Sequence, residues 1–135
     1  MSVINEILKA ENNYLCFGNY LVTQKQKLEN FDFHGDKYKV KTHNEITRLE
    51  KNDKMLLETI PGSAIHKFSE NENEISFEAE GFENTQITLE LAANQNYKLE
   101  IDDVLISTSS SNSFGKFSFS LTLSNSPRSV RIKKC

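Results

Sequence analysis

The chain of 135 residues contains no tryptophan, only two cysteines and two prolines, and five glycines. Cys16 and Cys135 form neither a C-x-x-C pair nor a Cys/His spacing, so no zinc site and no disulfide framework are predicted. The glycines stand singly and form no phosphate-binding loop. No apolar run approaches the roughly 20 residues of a membrane-spanning helix. We therefore predict no cofactor, no metal ion and no membrane partner.

The charge is nearly balanced overall but unevenly spread. Nineteen acids against sixteen bases give a net charge of −3, which disfavours nucleic acid as a partner. Residues 69–103 contain ten acids and one base, whereas residues 104–135 contain five bases and no acid. One explanation for the acidic residues of 69–103 is that they lie on the solvated faces of strands. Alternatively, the acidic middle pairs with the basic end, within one molecule or between neighbours in an assembly, and we favour pairing within one molecule.

From residue 14 onward, apolar and polar residues alternate in short runs that are separated by turn-forming residues. KFSFSLTL (116–123) alternates most strictly, so we expect this strand at the centre of a sheet. Gly, Asn and Asp at 34–36, 51–53 and 102–103 favour tight hairpin turns. The spacing of these runs predicts an antiparallel β-sandwich or jelly roll over residues 14–135.

The first residues have a different, helical spacing. Ser2 is a good N-cap, and Val3, Ile4, Ile7 and Leu8 follow at positions that share one helix face, which predicts a short helix within residues 1–13. So short a helix is unstable alone and must dock on its own sheet or on a partner subunit. The expected fold is therefore mainly β, a single domain over residues 1–135 with one short N-terminal helix.

Several segments resemble a known family. GDKYKVKTHNEITRLEKN, ETIPGSAIHKF and ITLELAANQNYKLEIDD are similar to small clostridial proteins labelled "endosialidase catalytic beta chain", and the likeness covers almost the whole chain. The end of the chain, NYKLEIDDVLIS followed by GKFSFSLTL, also resembles β-sandwich modules attached to polysaccharide-processing enzymes. Both resemblances imply a role connected with carbohydrates.

The residues do not support the sialidase chemistry that this label implies. Such an enzyme would use an arginine triad, a tyrosine/glutamate nucleophile pair and Asp-box motifs on a propeller. This chain has no Asp-box, its three arginines are Arg48, Arg128 and Arg131, and it is too short for six four-stranded blades. We interpret the label as inherited rather than as an activity.

The histidines form no recognisable catalytic or metal-binding motif. His34 lies between Asp32 and Asp36, a conceivable metal site, but the adjacent glycine favours a solvated turn. His43 and His66 fall in no H-x-x-x-H arrangement, and no serine occupies a G-x-S-x-G elbow. We therefore predict no catalytic residue.

These observations favour a non-enzymatic structural or interaction module, a subunit of a homomeric or larger assembly. The alternative is a carbohydrate-binding or carbohydrate-processing accessory domain, and catalysis as an endosialidase chain ranks last. The expected partner is itself or another protein, or a glycan in the alternative. The charged opening segment is unlike a signal peptide, so we expect a cytoplasmic protein or a particle assembled without one. The candidate interaction residues are Val3, Ile4, Ile7, Leu8, Arg128, Arg131, Lys133 and Lys134.

Overall fold

Thirteen strands account for the regular structure in a computed structural model that describes residues 8–11 and 13–135. The strands are β1 (Leu8–Glu11), β2 (Tyr14–Phe17), β3 (Gln26–Phe33), β4 (Asp36–Thr42), β5 (Thr47–Lys51), β6 (Lys54–Ile60), β7 (Ser63–Glu70), β8 (Glu74–Gly81), β9 (Asn84–Glu90), β10 (Asn96–Ile101), β11 (Val104–Ser110), β12 (Lys116–Thr122) and β13 (Arg128–Lys134).

The strands form two sheets in which all neighbours are antiparallel. One sheet has seven strands in the order β1-β2-β7-β8-β13-β10-β11, and the other has six in the order β12-β9-β6-β5-β4-β3. The last strand in the sequence, β13, therefore lies inside its sheet, between β8 and β10. The protein is mainly β, and its two sheets pack as a sandwich.

The core consists of the side chains that alternate inward from both sheets. Val40 and Leu49 come from the six-stranded sheet, Ile65 and Val130 come from the seven-stranded one, and all four are fully buried. In β8 the apolar residues face this core and the acidic positions alternate with them. This alternation is the period-2 pattern of an antiparallel sheet with one buried face.

The three predicted hairpin turns are present. They lie at His34–Gly35, Asn52–Asp53 and Asp102–Asp103, where every residue has a positive φ between 51° and 84°. Two positive φ values match the twist of a two-residue hairpin, and Gly, Asn and Asp tolerate that backbone conformation best. Residue chemistry at the turns therefore determines which strands pair locally.

The predicted N-terminal helix is wrong where the structure can be described. Leu8 begins strand β1, pairs with Phe17 of β2 and is 2% exposed in the core. A two-turn helix is marginal in water, whereas this strand gains both ladder hydrogen bonds and core contacts. Residues 8–11 and 13–135 contain no helix, and hence none that could cross a membrane. Val3, Ile4 and Ile7 lie outside the described residues.

The arrangement of the strands differs from expectation in one further respect. KFSFSLTL forms β12, which is an edge strand paired only with β9 rather than a central one. Its alternation reports one buried face and says nothing about the number of hydrogen-bonded neighbours. The jelly-roll form stays a prediction: β3, β4, β5 and β6 follow one another as a meander, whereas β8 and β9 pair with β13 and β12 in the two sheets.

Candidate functional site

Strand β11 exposes both of its faces at the edge of the seven-stranded sheet. Val104 is 59% exposed, and Leu105 and Ile106 are each 56% exposed. Six of the seven residues of this strand are exposed, whereas the neighbouring β10 alternates between buried and exposed positions. Three consecutive exposed aliphatic side chains on an edge strand are unusual in a monomeric protein.

The exposure follows from the unequal width of the two sheets. On β10, Tyr97 packs its ring 5.7 Å from the ring of Phe117 on β12, the edge strand of the six-stranded sheet. Because β12 is the last described strand of its sheet, β11 projects beyond it, and no strand within residues 8–11 and 13–135 lies opposite. A bulge between Leu99 and Glu100 leaves Ile106 as the extra residue on β11, which further breaks the alternation.

Charge distinguishes β11 from the other edge strands. The edges are β1 and β11 in one sheet and β3 and β12 in the other. Charged side chains lie on three of them, for example Lys9 and Glu11 on β1 and Lys116 on β12. The sequence of β11, VLISTSS, contains no charged residue and no proline. Natural edge strands commonly use lysine or proline to prevent further pairing, and β11 has neither.

The candidate residues at the basic end face the acidic middle of the same molecule. β13 is an inner strand, so its side chains reach acidic residues on the strands at each side and in the β10–β11 turn. The ion pairs are Arg128–Asp102 (3.0 Å), Arg131–Glu74 (3.3 Å), Arg131–Glu100 (3.8 Å) and Lys133–Glu100 (3.5 Å). Lys134 donates its backbone N–H to Asn73. Any role of these residues between molecules stays a prediction.

A cleft of about 510 Å³ lies at one end of the sandwich. Tyr14, 40% exposed, and the rings of Phe33 and His34, which meet edge-to-face with centroids 4.1 Å apart, give it aromatic surface. Asp36 and Glu70 supply carboxylates to its wall. His34 and Asp36 thus share this cleft, whereas Asp32 pairs with Lys37 at 2.9 Å. Among the residues described, no group of His, Cys, Asp and Glu has the arrangement of a metal site.

A buried polar row crosses three strands on the face of the seven-stranded sheet that is turned away from the core. It contains Cys16 of β2, His66 of β7 and Glu80 of β8. His66 Nε2 lies 2.7 Å from Glu80 Oε1, and Tyr20, from the loop after β2, donates its hydroxyl to Glu80 Oε2 at 2.9 Å. The Tyr20 ring packs edge-on against Phe82 with centroids 4.9 Å apart. The loop therefore helps to cover a face that a solvated strand would expose.

The protonation of this row is shifted by its surroundings. Burial pushes the pKa of the Cys16 thiol upward, but its hydrogen bonds to His66 and to the Lys67 amide outweigh this, so that the pKa is lowered. The hydrogen bond to Cys16 raises the pKa of His66. Burial acts in the opposite direction, but the Glu80 carboxylate adds to the upward shift, so the pKa is raised. Burial and the bond to Glu80 raise the pKa of Tyr20 to about 12. The lowered pKa of Cys16 and the raised pKa of His66 are both shifts toward the charged forms of these side chains.

Sequence reasoning did not find the buried row. Cys16 and His66 are distant in the sequence, and the alternation of β8 suggested that Glu80 faces water. A cysteine at an outward strand position was the one available signal. Comparison with family models, with curated proteins and with solved structures finds no significant match for this chain. The family resemblance of the sequence therefore stays a prediction.

Proposed function

We propose that the protein is a structural module that associates with a second copy of itself through β11. The observation that carries this proposal is the uncharged edge strand with Val104, Leu105 and Ile106 exposed side by side. Its unpaired backbone N–H and C=O groups supply hydrogen bonds for an added strand, and the aliphatic side chains supply apolar surface to bury. Pairing would join the seven-stranded sheets of two copies into one continuous sheet.

Self-pairing satisfies both the geometry and the charge of this edge. Two antiparallel copies of β11 related by a two-fold axis overlap fully when Ser107 lies opposite Ser107 and Val104 opposite Ser110. Each residue of the strand then faces an uncharged residue, so no like charges are opposed. Such an isologous contact closes at two copies and does not propagate. A charged partner strand would find no complementary side chain on β11, which favours a second copy.

We expect wild-type protein in reductant to have twice the monomer mass of 15.5 kDa by light scattering. Ile106→Lys should be monomeric, with dimerisation weakened at least about tenfold, because a lysine must then be desolvated at the pairing edge. Leu21→Lys is the matched control: Leu21 is 58% exposed but lies in the loop after β2, and this variant should dimerise normally. Reductant prevents cross-links through the exposed Cys135 from being counted as assembly.

A monomeric wild type at the highest attainable concentration would contradict self-association. A dimer that Ile106→Lys leaves intact would place the interface elsewhere and would equally exclude β11. Dimerisation of wild type and Leu21→Lys but not of Ile106→Lys is the result that supports the proposal.

The second candidate function is glycan binding in the cleft at the end of the sandwich. The observation that favours it is the combination of exposed aromatic surface from Tyr14 and His34 with the carboxylates of Asp36 and Glu70. Sugar rings present apolar faces to aromatic side chains and hydroxyls to carboxylates.

A glycan screen followed by calorimetry with any glycan found tests this second function. Tyr14→Ala should weaken binding at least about tenfold, because it removes an aromatic face from the cleft. Phe114→Ala is the control, since Phe114 is 79% exposed and is not among the residues of the cleft. Binding that both variants reduce equally, or no glycan bound at all, would exclude the cleft.

A further inference from the structure

We propose that Cys16 is a reactive nucleophile, activated by His66 and Glu80, that reduces small hydroperoxides and is thereby converted to a sulfenic acid. This site is separate from the proposed interface: Cys16, His66 and Glu80 lie on β2, β7 and β8, whereas β13 and β10 separate β8 from β11. The proposal does not depend on the oligomeric state.

Cys16, His66 and Glu80 follow one another in the order of a nucleophile, its base and the group that orients the base. Glu80 is 1% exposed and holds His66 Nε2 at 2.7 Å, which leaves Nδ1 as the ring nitrogen available to Cys16, the residue opposite His66 across the β2–β7 pair. A nucleophile, a base within hydrogen-bond reach and a third group that orients the base form the triad arrangement of covalent catalysis. The Tyr20 hydroxyl fixes the second carboxylate oxygen of Glu80 and so restrains the third member.

A β-bulge in the β2–β7 pair directs two hydrogen-bond donors toward the Cys16 sulfur. Leu15 pairs with Phe68 and Phe17 pairs with Ile65, so the single residue Cys16 lies opposite both His66 and Lys67. Lys67 adopts a φ of 54° at this bulge, and its backbone N–H bonds to the Cys16 sulfur. Bulges re-aim side chains and occur often beside active sites. The sulfur thus has an imidazole and a peptide N–H directed at it, which is an environment that stabilises a thiolate.

The burial of Cys16 limits the class of substrate. At 4% exposure, Cys16 offers almost no surface to a peptide or acyl chain, so the candidate substrate is a reagent of a few atoms. Hydroperoxides are small electrophiles that react with thiolates. In the proposed step the thiolate attacks one peroxide oxygen, an S–O bond forms and the O–O bond breaks. The leaving oxygen takes the proton of the His66 imidazolium, which gives sulfenic acid, neutral His66 and water or an alcohol. Sulfur is oxidised and the peroxide is reduced.

The experiment uses hydrogen peroxide as the probe and dimedone to trap sulfenic acid, read by mass spectrometry of the intact protein. Cys135→Ser leaves Cys16 as the single thiol, and Cys16→Ser leaves the exposed Cys135 as an unactivated control. At neutral pH, Cys16 should be oxidised at least about tenfold faster than Cys135, and its rate should reach half its maximum below the ordinary thiol pKa of about 8.5.

Substitutions of His66 and Glu80 test whether these residues activate the Cys16 thiol, separately from how accessible the thiol is. In the Cys135→Ser background, His66→Gln and Glu80→Gln should each slow oxidation and move the midpoint of the pH–rate profile upward. If His66→Gln does not fold, the thiolate absorbance of the Glu80→Gln protein, titrated against pH, reports the same upward shift. Oxidation of Cys16 no faster than that of Cys135, or a profile that neither substitution moves, would overturn the proposal. A monomeric wild type would affect the β11 proposal alone.

Discussion

Replacement of Glu80 by alanine is expected to lower the free energy of unfolding by about 3–5 kcal/mol, the range for breaking a buried ion pair from one side. Glu80 accepts hydrogen bonds from both Tyr20 and His66, and its removal leaves two buried polar groups without this partner. Urea unfolding followed by circular dichroism measures the loss.

Glu78→Ala is the matched control for this substitution. Glu78 lies on the same strand and face, but its side chain is 39% exposed and meets Lys67 only at 3.9 Å. Exposed pairs of this kind contribute roughly 0.2–1 kcal/mol. Equal losses for Glu78→Ala and Glu80→Ala would show that the buried row does not stabilise the fold.

The same row predicts a dependence of stability on pH. The hydrogen bond to Cys16, together with Glu80, raises the pKa of His66. The contribution of His66 to the free energy of unfolding is therefore complete below its unfolded pKa of about 6.5, and it is lost as the pH rises through the folded pKa. The stability difference between wild type and Glu80→Gln should be largest near about pH 6 and should shrink toward alkaline pH.

Cys16 has the opposite dependence, because its folded pKa is lowered: its contribution is present above the ordinary thiol pKa and is lost as the pH falls. The comparison is therefore repeated with Cys16→Ser, whose hydroxyl can hydrogen-bond but does not titrate in this range. A difference that is independent of pH in this background would mean that Glu80 alone does not raise the pKa of His66.

Gly115→Ala is the second substitution with a large expected effect. Gly115 has a φ of +84°, and an added Cβ would overlap the backbone carbonyl oxygen of Leu91. The left-handed conformation costs a non-glycine residue roughly 1–2 kcal/mol, and overpacking adds roughly 1–3 kcal/mol. We therefore expect a loss of about 2–5 kcal/mol in the free energy of unfolding, measured by urea denaturation.

Gly35→Ala separates the two contributions. Gly35 has the same φ of +84°, but no atom lies within 4 Å of an added Cβ. This variant should lose only the conformational part, roughly 1–2 kcal/mol. If both alanine variants are destabilised to the same extent, contact with Leu91 contributes nothing and Gly115 matters for its backbone conformation alone.

Local chemistry predicted the strands that alternate and the turns that need positive φ, but it failed where both faces of a strand are covered. β7, SAIHKFSE, has no regular alternation because Ala64 and His66 are buried on one face, Ile65 is buried on the other and a bulge at Lys67 interrupts the pattern. β1 was missed because its apolar residue fitted a helical spacing, and only pairing with β2 decides its conformation.

The candidate sites were harder to predict because they depend on how distant strands meet. The exposed edge of β11 arises from the difference in width between the two sheets, and no residue within VLISTSS signals it. The buried row depends on Tyr20 covering an outer face, so Glu80 could not be distinguished in sequence from the solvated acids of the same strand.

The inner position of β13 has a consequence for biosynthesis. Its neighbours β8 and β10 each have hairpin partners, β7 and β11, that leave the ribosome before it does. The two hairpins can form early, but the gap between them stays open until Arg128–Lys134 is translated. The seven-stranded sheet is therefore completed by insertion of its latest strand rather than by growth at an edge. Until then, the sheet consists of two separate parts, one on each side of the gap.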